Sequence, residues 1–222
     1  MVEIISIHIP KTAGQTFKKI LQEIYGDKLD LRHGRKEFFP KKVKPKKLLK
    51  TIPTEVTVIH GHLFYQHVSP IHLRDHAKVI TWLRDPVERM ISNYYYLMKQ
   101  VRKKPKHTHV DKINYSLIDY AKIDVVQNRM HRYLEGIDLR DLFFYGFTES
   151  FSADLIRLSE LLEWPHIPKT ERINDGSQYK DNPDCTTKEV TSEMRAKIRD
   201  LNKLDMELYE RARALKSGQT CW

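Results

Sequence analysis

The chain contains few of the residues that would indicate a disulfide-rich or metal-binding protein. It has two cysteines in 222 residues, Cys185 and Cys221, whereas a disulfide framework needs several pairs. We expect free thiols at both positions, and the sequence leaves a single bond between them open. A zinc site needs more ligands at short, regular spacings than these two distant cysteines supply. We therefore expect no metal.

The chain also lacks a long hydrophobic run. No apolar stretch approaches the length of about 20 residues that a membrane-spanning helix needs, so no membrane span is expected. The first apolar strand begins at residue 3 or 4, which leaves no room for a signal peptide. Repeats and low-complexity linkers are absent, and 222 residues with 40% hydrophobic content can bury one good core. The sequence thus predicts one domain over residues 1–222.

Acidic residues are in the minority. Lysine and arginine total 39 against 29 aspartate and glutamate residues, which gives a formal net charge of +10. Much of the excess lies in two runs, Lys41–Lys50 and Arg102–Lys106. These runs are either solvated loops or an electropositive rim that attracts an anionic donor or an acidic polymer. No sequence signature of a nucleic-acid-binding fold accompanies them, so nucleic acid is not expected as a partner.

The segment Ile4–Phe17 predicts an anion-binding turn between a strand and a helix. An isoleucine-rich run ends at Pro10, and apolar residues recur at helical spacing from about Thr16. The turn between them contains Lys11, small residues and Gly14. The first N–H groups of a helix have no partner within it, and the helix dipole adds partial positive charge there. A phosphate or sulfate is the natural ligand of such a turn.

This turn lacks the signature of a nucleoside triphosphate site. In G-x-x-x-x-G-K-[ST], the lysine follows the second glycine and a hydroxyl binds magnesium. Here Lys11 precedes Gly14, and G-K-[ST] occurs nowhere in the chain. An ordinary P-loop kinase or GTPase is therefore disfavoured. On these residues alone, a plain strand-to-helix turn stays open.

A second anion site is predicted after the apolar strand Ala77–Leu83. Asp85 suits the N-cap and Pro86 the first turn of the helix that follows, which places Arg84 at the carboxyl end of the strand. Ser92 lies about two turns into the helix, and its hydroxyl and the Arg84 guanidinium together suit a phosphate. Two anion sites at the ends of two strands indicate a nucleotide with separated phosphates.

The two motifs resemble those of sulfotransferases that use 3′-phosphoadenosine 5′-phosphosulfate (PAPS). The segment Pro10–Thr16 is similar to their 5′-phosphosulfate loop, and Arg84–Ser92 is similar to their 3′-phosphate motif. The tyrosine run Tyr94–Tyr96 is typical of the heparan sulfate 2-O- and 6-O-sulfotransferase branch. Weaker similarity continues through three further segments, so that it spans nearly the whole chain: Tyr145–Glu149, Arg172–Asn174 and Leu204–Tyr209.

The resemblance implies PAPS as the donor substrate and adenosine 3′,5′-bisphosphate (PAP) as the product. It assigns the 3′-phosphate to Arg84 and Ser92. The family more often has threonine or serine where this chain has Gln15, whose backbone N–H can still serve. The 5′-phosphosulfate is expected to bind the backbone N–H groups and hydroxyls of the first motif: Lys11, Thr12, Ala13, Gly14, Gln15, Thr16 and Phe17.

A pair of histidines lies in the segment Val56–His62, whose first four residues predict a third strand. His60 and His62 would share one side of an extended chain. Because the chain has 11 histidines, the pair alone favours a structural or solvated role. In the 2-O-sulfotransferase branch, however, a His-Gly-His at this place carries the catalytic base. The resemblance assigns that role to His62, with His60 as its supporting neighbour, and an imidazole with an ordinary pKa of about 6.5 suits it.

The pattern of segments predicts an α/β fold: a single P-loop-like domain with a mostly parallel central sheet flanked by helices. Helices are expected near Ser116–Lys122 and Val125–Leu134, and a strand at Leu142–Phe147 leads into a further helix. Apolar residues spaced by three and four predict one continuous last helix over Val190–Leu215. A capping box at Thr186–Glu189 is expected to begin it.

Together these features predict in-line transfer of a sulfuryl group from PAPS to a hydroxyl. Lys11 would stabilise charge on the leaving oxygen, and His62 would remove the proton of the acceptor. The acceptor is expected to be a sugar of an oligo- or polysaccharide, and the basic runs favour an acidic one. Three residues are candidate acceptor contacts, with helix-surface roles equally open: Asn128, Arg129 and Arg132.

Several points stay open in the sequence. The polar segment Asn174–Asp184 is expected to fold over the donor, with Ser177 and Lys180 as weaker candidate contacts. Two other protein classes remain: a P-loop kinase-like phosphotransferase that needs magnesium and ATP, and a non-catalytic polyanion-binding protein whose affinity falls with salt. Animal relatives that act on glycosaminoglycans are membrane-anchored Golgi proteins. We expect a cytoplasmic enzyme if the chain is full length, and a Golgi luminal one if it is a trimmed form.

Overall fold

The computed structural model describes residues 1–32, 52–103, 115–168 and 190–218, with only the backbone over 101–103. Contacts divide the chain into two compact units, one of Met1–Leu83 with Met130–Ile173 and one of Arg84–Arg129 with Asn174–Trp222. The expectation of one domain stays a prediction. Several predicted features lie outside the described residues: Lys41–Lys50, the end of Arg102–Lys106, Arg172–Asn174, Asn174–Asp184 with Ser177 and Lys180, Cys185, Thr186–Glu189 and Cys221.

The first unit contains a five-stranded sheet in which every pair of neighbouring strands is parallel. The strand order is β2-β3-β1-β4-β5. The predicted α/β fold with a parallel sheet flanked by helices is therefore confirmed. The strands are β1 (Ile4–Ile7), β2 (Leu29–Arg32), β3 (Val58–Gly61), β4 (Lys78–Leu83) and β5 (Phe144–Phe147).

Helices connect and flank these strands. The described residues form α1 (Gly14–Tyr25), α2 (Tyr65–Asp75), α3 (Pro86–Lys103), α4 (Leu117–Ala121), α5 (Arg129–Leu134), α6 (Phe151–Leu161), α7 (Ser192–Leu201) and α8 (Lys203–Gly218). None of them is both long enough and apolar enough to span a membrane.

One face of the sheet is covered by α1 and α6. Side chains alternate along a strand, so Ile4 and Ser6 face one side of β1, whereas Ile5 and Ile7 face the other. The resulting core excludes water from both helices and from four strands, and its buried members are Ile4, Phe17, Ile20, Leu21, Val58, Ile80, Trp82, Phe144, Phe151, Leu155 and Leu158. This burial supplies the main stabilisation of the sheet.

The second unit is helical and has its own apolar cluster. Val87, Met90 and Ile91 of α3 pack with Leu117 and Tyr120 of α4. Three further members come from α4, α7 and α8: Ala121, Ile198 and Met206. The expected helix near Ser116–Lys122 is confirmed as α4, with the Ser116 hydroxyl accepting a hydrogen bond from the N–H of Asp119 at 3.1 Å.

Two predicted helices of this part of the chain are wrong in extent. The last helix is interrupted at Asn202, whose side-chain amide donates to the carbonyl of Ile198 at 2.8 Å and accepts from the N–H of Asn128 at 3.0 Å. The predicted helix Val125–Leu134 is likewise broken, because Asn128 has a left-handed φ of 48°. The side-chain oxygen of Asn128 accepts from the N–H of Asp205 at 3.2 Å. The side chain of each asparagine therefore accepts a backbone N–H beside the other break, and these two hydrogen bonds stabilise both breaks.

Candidate active site

Polar side chains and backbone groups gather at the carboxyl edge of the sheet. Because all five strands are parallel, the segments that follow them emerge at the same edge. The connection after β1 leads to β2 on one side, whereas the connection after β4 leads to β5 on the other. In open α/β sheets, ligands bind where neighbouring connections diverge in this way. The first predicted anion motif begins at this point of the sheet.

The loop between β1 and α1 has the geometry of an anion-binding turn. Lys11 and Ala13 adopt left-handed φ angles of 74° and 61°, and left-handed residues occur in the turns whose backbone N–H groups bind anions. Helix α1 begins at Gly14, two residues earlier than predicted. Its N-cap, Ala13, provides no side-chain cap, and the first turn contains no acidic residue. The start of α1 is therefore suited to an anion.

The residues of this loop differ in what they offer to a ligand. Thr12 is buried, and its hydroxyl donates to the carbonyl of Ile9 at 2.8 Å, so only the oxygen lone pairs remain for other partners. Gln15 is exposed and Thr16 is buried. The N–H of Phe17 donates to the carbonyl of Ala13 at 3.0 Å, within the first turn of α1, and its expected donor contact stays a prediction. Its ring packs in the core.

Three histidines from two strand ends form a stack beside this loop. His8 follows β1, His60 lies in β3 and His62 follows β3. The ring centroids of His8 and His62 are 4.3 Å apart with planes inclined by 24°, and those of His8 and His60 are 5.3 Å apart at 11°. The rings thus lie face to face, with His8 in contact with both predicted histidines.

Backbone chemistry determines which nitrogen of His62 carries a proton. The Nδ1 atom of His62 lies 2.9 Å from the carbonyl oxygen of His8. A carbonyl oxygen only accepts hydrogen bonds, so Nδ1 carries the hydrogen. In the neutral ring, Nε2 then holds the lone pair. His62 is half-buried, and the lone pair on Nε2 is the group that can accept a proton.

His60 occupies a different environment. Its side chain is buried, Nδ1 lies 2.8 Å from the hydroxyl oxygen of Ser6, and the ring of Phe17 meets it edge-on with centroids 6.0 Å apart. These contacts belong to the core beneath the sheet edge. They suit the supporting position that the resemblance implies for His60.

Two glycines permit this arrangement. A methyl group at Gly14 would overlap the imidazole of His8 at Nε2, Cδ2 and Cε1, and a methyl group at Gly61 would overlap the backbone carbonyl of Arg32. The first contact brings α1 directly onto the His8 ring. The second lets β2 and β3 remain in register, where Arg32 is opposite Gly61.

The second anion motif begins the other unit of the chain. Asp85 is the predicted N-cap of α3: its carboxylate accepts from the N–H groups of Val87 and Glu88 at 2.9 and 3.0 Å, which confirms the cap. Arg84 precedes it, directly after the last residue of β4, and Ser92 lies in α3. Both side chains are half-buried.

The same motif contains a buried cation that the sequence reasoning passed over. Arg89 has no exposed surface and lies 3.7 Å from the equally buried carboxylate of Asp205. It also donates to the carbonyl of Val126 at 3.2 Å. Burial lowers the pKa of Arg89, the charge of Asp205 opposes this effect, and the positive charges of Arg129 and Arg84 add to it.

Asn128, one of the candidate acceptor residues, and the tyrosine run make contacts within this unit. Asn128 makes the contacts with Asn202 and Asp205 described above, so its amide is structural. The hydroxyl of Tyr94 donates to the carbonyl of Tyr115 at 2.9 Å. Burial raises the pKa of Tyr120 to about 12.

No metal centre is found in the described ranges. Within residues 1–32, 52–103, 115–168 and 190–218, no three or more histidine, cysteine, aspartate or glutamate side chains are placed so that they could hold an ion together. The stacked histidines present their faces to one another, whereas metal ligands direct their nitrogens to a common point.

Comparisons with known proteins identify the family. A sulfotransferase from Alicyclobacillus acidocaldarius is similar at a TM-score of 0.53 and 14% identity, over 96% of each chain. The mouse sulfotransferase SULT7A1 complexed with PAP is similar at a TM-score of 0.51 and 16% identity, over 98% of this chain and 88% of that one. At these identities the likeness shows the fold alone, and a search of curated proteins returned no match. The model of the sulfotransferase family matches residues 2–210, and the chain therefore belongs to the sulfotransferase family.

Proposed function

We propose that this protein transfers a sulfuryl group from PAPS to a hydroxyl group of a sugar. Family membership supports sulfuryl transfer. The loop after β1 is the observation that supports PAPS as the donor, because it contains the cation Lys11 and leads into a helix start with no side-chain cap and no acidic residue. The mouse sulfotransferase of similar fold was solved with PAP, which supports the same nucleotide here.

Each end of the donor has its own proposed residues. Lys11 and the N–H groups at the start of α1, from Gly14 to Thr16, bind the 5′-phosphosulfate, with the lone pairs of Thr12 and the hydroxyl of Thr16 as further contacts. Arg84 and Ser92 bind the 3′-phosphate, which distinguishes this donor from ATP. Ser177 and Lys180 remain weaker candidates.

The side chains supply proton transfer and charge stabilisation. PAPS, when bound, provides an activated sulfuryl group: the acceptor oxygen bonds to sulfur as the bond between sulfur and the phosphate oxygen breaks, and that electron pair stays on the phosphate. His62 accepts the proton of the acceptor hydroxyl on Nε2, since Nδ1–H is held by the carbonyl of His8. Lys11 stabilises the negative charge on the departing phosphate. Positioning and preorganised charge account for most of the rate.

The proposed acceptor is a sugar of an oligo- or polysaccharide. The resemblance to the heparan sulfate 2-O- and 6-O-sulfotransferase branch supports it, through the tyrosine run and the His-Gly-His sequence around Gly61. The net charge of +10 supports an acidic polymer.

Titration calorimetry tests the donor. PAP, ATP with magnesium, and a heparan sulfate oligosaccharide are each added to the protein at two salt concentrations. We expect saturable PAP binding and no comparable ATP binding, followed by transfer from labelled PAPS to at least one member of a glycan panel. ATP binding that requires magnesium would instead support a phosphotransferase. Polyanion binding that collapses with salt, without PAP binding, would support a non-catalytic role.

A further inference from the structure

We propose that His8 is a positioning residue that holds the ring of His62 in a set orientation against the donor loop. The functional part of this proposal rests on the proposed role of His62 as the base. The structural part stands on the contacts of His8 alone. His8 follows β1 directly and is buried, with 6% of its surface exposed.

The main chain of His8 supports His62 from one side. The N–H of His8 donates to the carbonyl of Gly61 at 2.7 Å, which extends the β1–β3 pairing by one residue beyond the strands. Its carbonyl then accepts from Nδ1 of His62 at 2.9 Å. The hydrogen bond that determines the tautomer of His62 is therefore attached to the rigid centre of the sheet.

The ring of His8 supports His62 from its face. At a centroid distance of 4.3 Å and an inclination of 24°, the two imidazoles are in van der Waals contact, and no water fits between them. The flat contact opposes rotation of the His62 ring about χ2, a rotation that would exchange the carbonyl of His8 for water. The stack therefore restricts His62 to the orientation in which Nδ1 meets the carbonyl.

The His8 ring also touches the donor loop. The space next to the Cα of Gly14 that a side chain would occupy is taken by Nε2, Cδ2 and Cε1 of His8. One imidazole thus separates the first residue of α1 from the ring of His62. Because protein interiors are close-packed, we expect a displacement of one of them to affect the other.

The contacts of His8 with Gly14 and His62 should affect the rate of in-line transfer. The acceptor oxygen has to lie at once within reach of the base and in line with the bond that breaks, and an error of about 1 Å costs about 10²-fold in rate. We expect His8→Ala to lower kcat about 10–100-fold and to leave the Kd for PAP within about threefold, since the N–H groups of the loop remain.

Histidine nitrogen spectra measure the structural part without a substrate. Long-range ¹H–¹⁵N correlation spectra of the ¹⁵N-labelled full chain distinguish Nδ1–H from Nε2–H rings, and the signals lost in His62→Gln assign His62. We expect a single Nδ1–H tautomer for His62 in the parent protein and averaged nitrogen shifts in His8→Ala. Leu158→Ala, which removes a fully buried side chain of α6, is the control for general destabilisation and should keep the parent tautomer. His8→Asn provides the same test if His8→Ala does not fold.

A double substitution tests the contact with the loop. Gly14→Ala inserts a methyl group where the His8 ring lies and should impair PAP binding strongly. In the His8→Ala background that space is vacant, so the further loss from Gly14→Ala should be several-fold smaller.

The outcomes separate the two proposals. An unchanged His62 tautomer and parent kcat in His8→Ala, or strictly additive losses in the double variant, would overturn the positioning role. Failure of the parent protein to bind PAP or to transfer sulfate would overturn the proposed function, while the spectra would still decide whether His8 orients His62.

Discussion

The side chain of His62 donates from Nδ1 to the carbonyl oxygen of His8 at 2.9 Å, although the two residues are 54 positions apart in the chain. The parallel pairing of β1 with β3 brings them together, with Ile7 opposite Gly61 in the register. The proposed base is thereby held by the backbone of the strand that leads into the donor loop.

Replacement of His62 by alanine should separate catalysis from binding. We expect kcat for sulfuryl transfer to fall about 10²–10⁴-fold, the usual contribution of a general base. The Kd for PAP should change less than about twofold, because the ring has no proposed contact with the nucleotide. Labelled-sulfate transfer and calorimetry measure the two quantities. His76→Asn, at an exposed histidine with a left-handed φ of 52°, is the matched control. Equal losses of turnover and PAP affinity would argue against the base assignment.

Replacement of Arg84 by alanine should remove recognition of one phosphate only. A hydrogen-bonded charge of this kind contributes about 1.5–3 kcal/mol, so we expect the Kd for PAP to rise about 10–100-fold. The Kd for adenosine 5′-phosphate, which has no 3′-phosphate, should barely change. Calorimetry with both nucleotides measures the difference. Lys197→Ala, at an exposed cation of α7, controls for net charge. The same loss for both nucleotides would place the 3′-phosphate elsewhere.

The buried residues Arg89 and Asp205 should be energetically coupled, so that their substitutions have non-additive effects on the free energy of unfolding. Removal of one partner leaves an uncompensated buried charge and should cost about 3–5 kcal/mol of unfolding free energy. We expect Arg89→Met and Asp205→Leu each to show this loss in urea unfolding. The double variant should lose much less than the two losses combined, because no charge is then left without a partner.

An exposed pair in the same unit provides the control for that experiment. Arg195 and Glu88 lie 2.5 Å apart on the surface, with side chains 45% and 42% exposed. Because water screens such a pair, Arg195→Met should cost no more than about 1 kcal/mol. Two outcomes would contradict energetic coupling of Arg89 and Asp205. In one, the unfolding free-energy losses of Arg89→Met and Asp205→Leu add in the double variant. In the other, each loss is as small as that of Arg195→Met.

The carboxylate of Asp75 should stabilise the fold in a pH-dependent way. Hydrogen bonds from Arg74 and then from the N–H of Val2 lower its pKa from 3.8 to about 2, against the effect of burial. A folded-state pKa below the unfolded one means that the stabilisation is complete above pH 3.8 and is lost as the pH falls through about 2. Arg74 is exposed, so we expect about 1 kcal/mol after screening.

Asp75→Asn tests this dependence. The loss of unfolding free energy relative to the parent protein should be complete at pH 7, should shrink below about pH 4 and should vanish near pH 2. Urea unfolding at a series of pH values measures it. A difference that stays constant down to pH 2 would show that the substitution acts through packing and not through the charge.

Prediction of the fold from sequence succeeded where one segment carried its own signal. The strands β1 and β4 are apolar runs followed by helix starts, and the N-cap role of Asp85 depends on the residues directly after it. The strand β2 gave no such signal, because Leu29–Arg32 is short, half charged and only half-buried. It is a strand because β3 pairs with it.

The break in the last helix also could not be predicted from the local sequence pattern. Apolar residues keep helical spacing through Asn202, so the local pattern predicts continuity. The interruption depends on Asn128, which lies 74 positions earlier and exchanges hydrogen bonds with the junction of α7 and α8. A distant hydrogen-bonding partner overrode a local propensity.

Neighbouring residues were enough to indicate the order of the two anion motifs, the position of Lys11 before a helix, and the parallel α/β class, because turn chemistry and apolar periodicity act over a few residues. Packing of distant segments was needed to bring His8 into contact with both Gly14 and His62, to put the hydrogen of His62 on Nδ1, and to bury Arg89 against Asp205. Each of these depends on groups far apart in the chain, whose distances and hydrogen-bond partners exist only after strands and helices have packed.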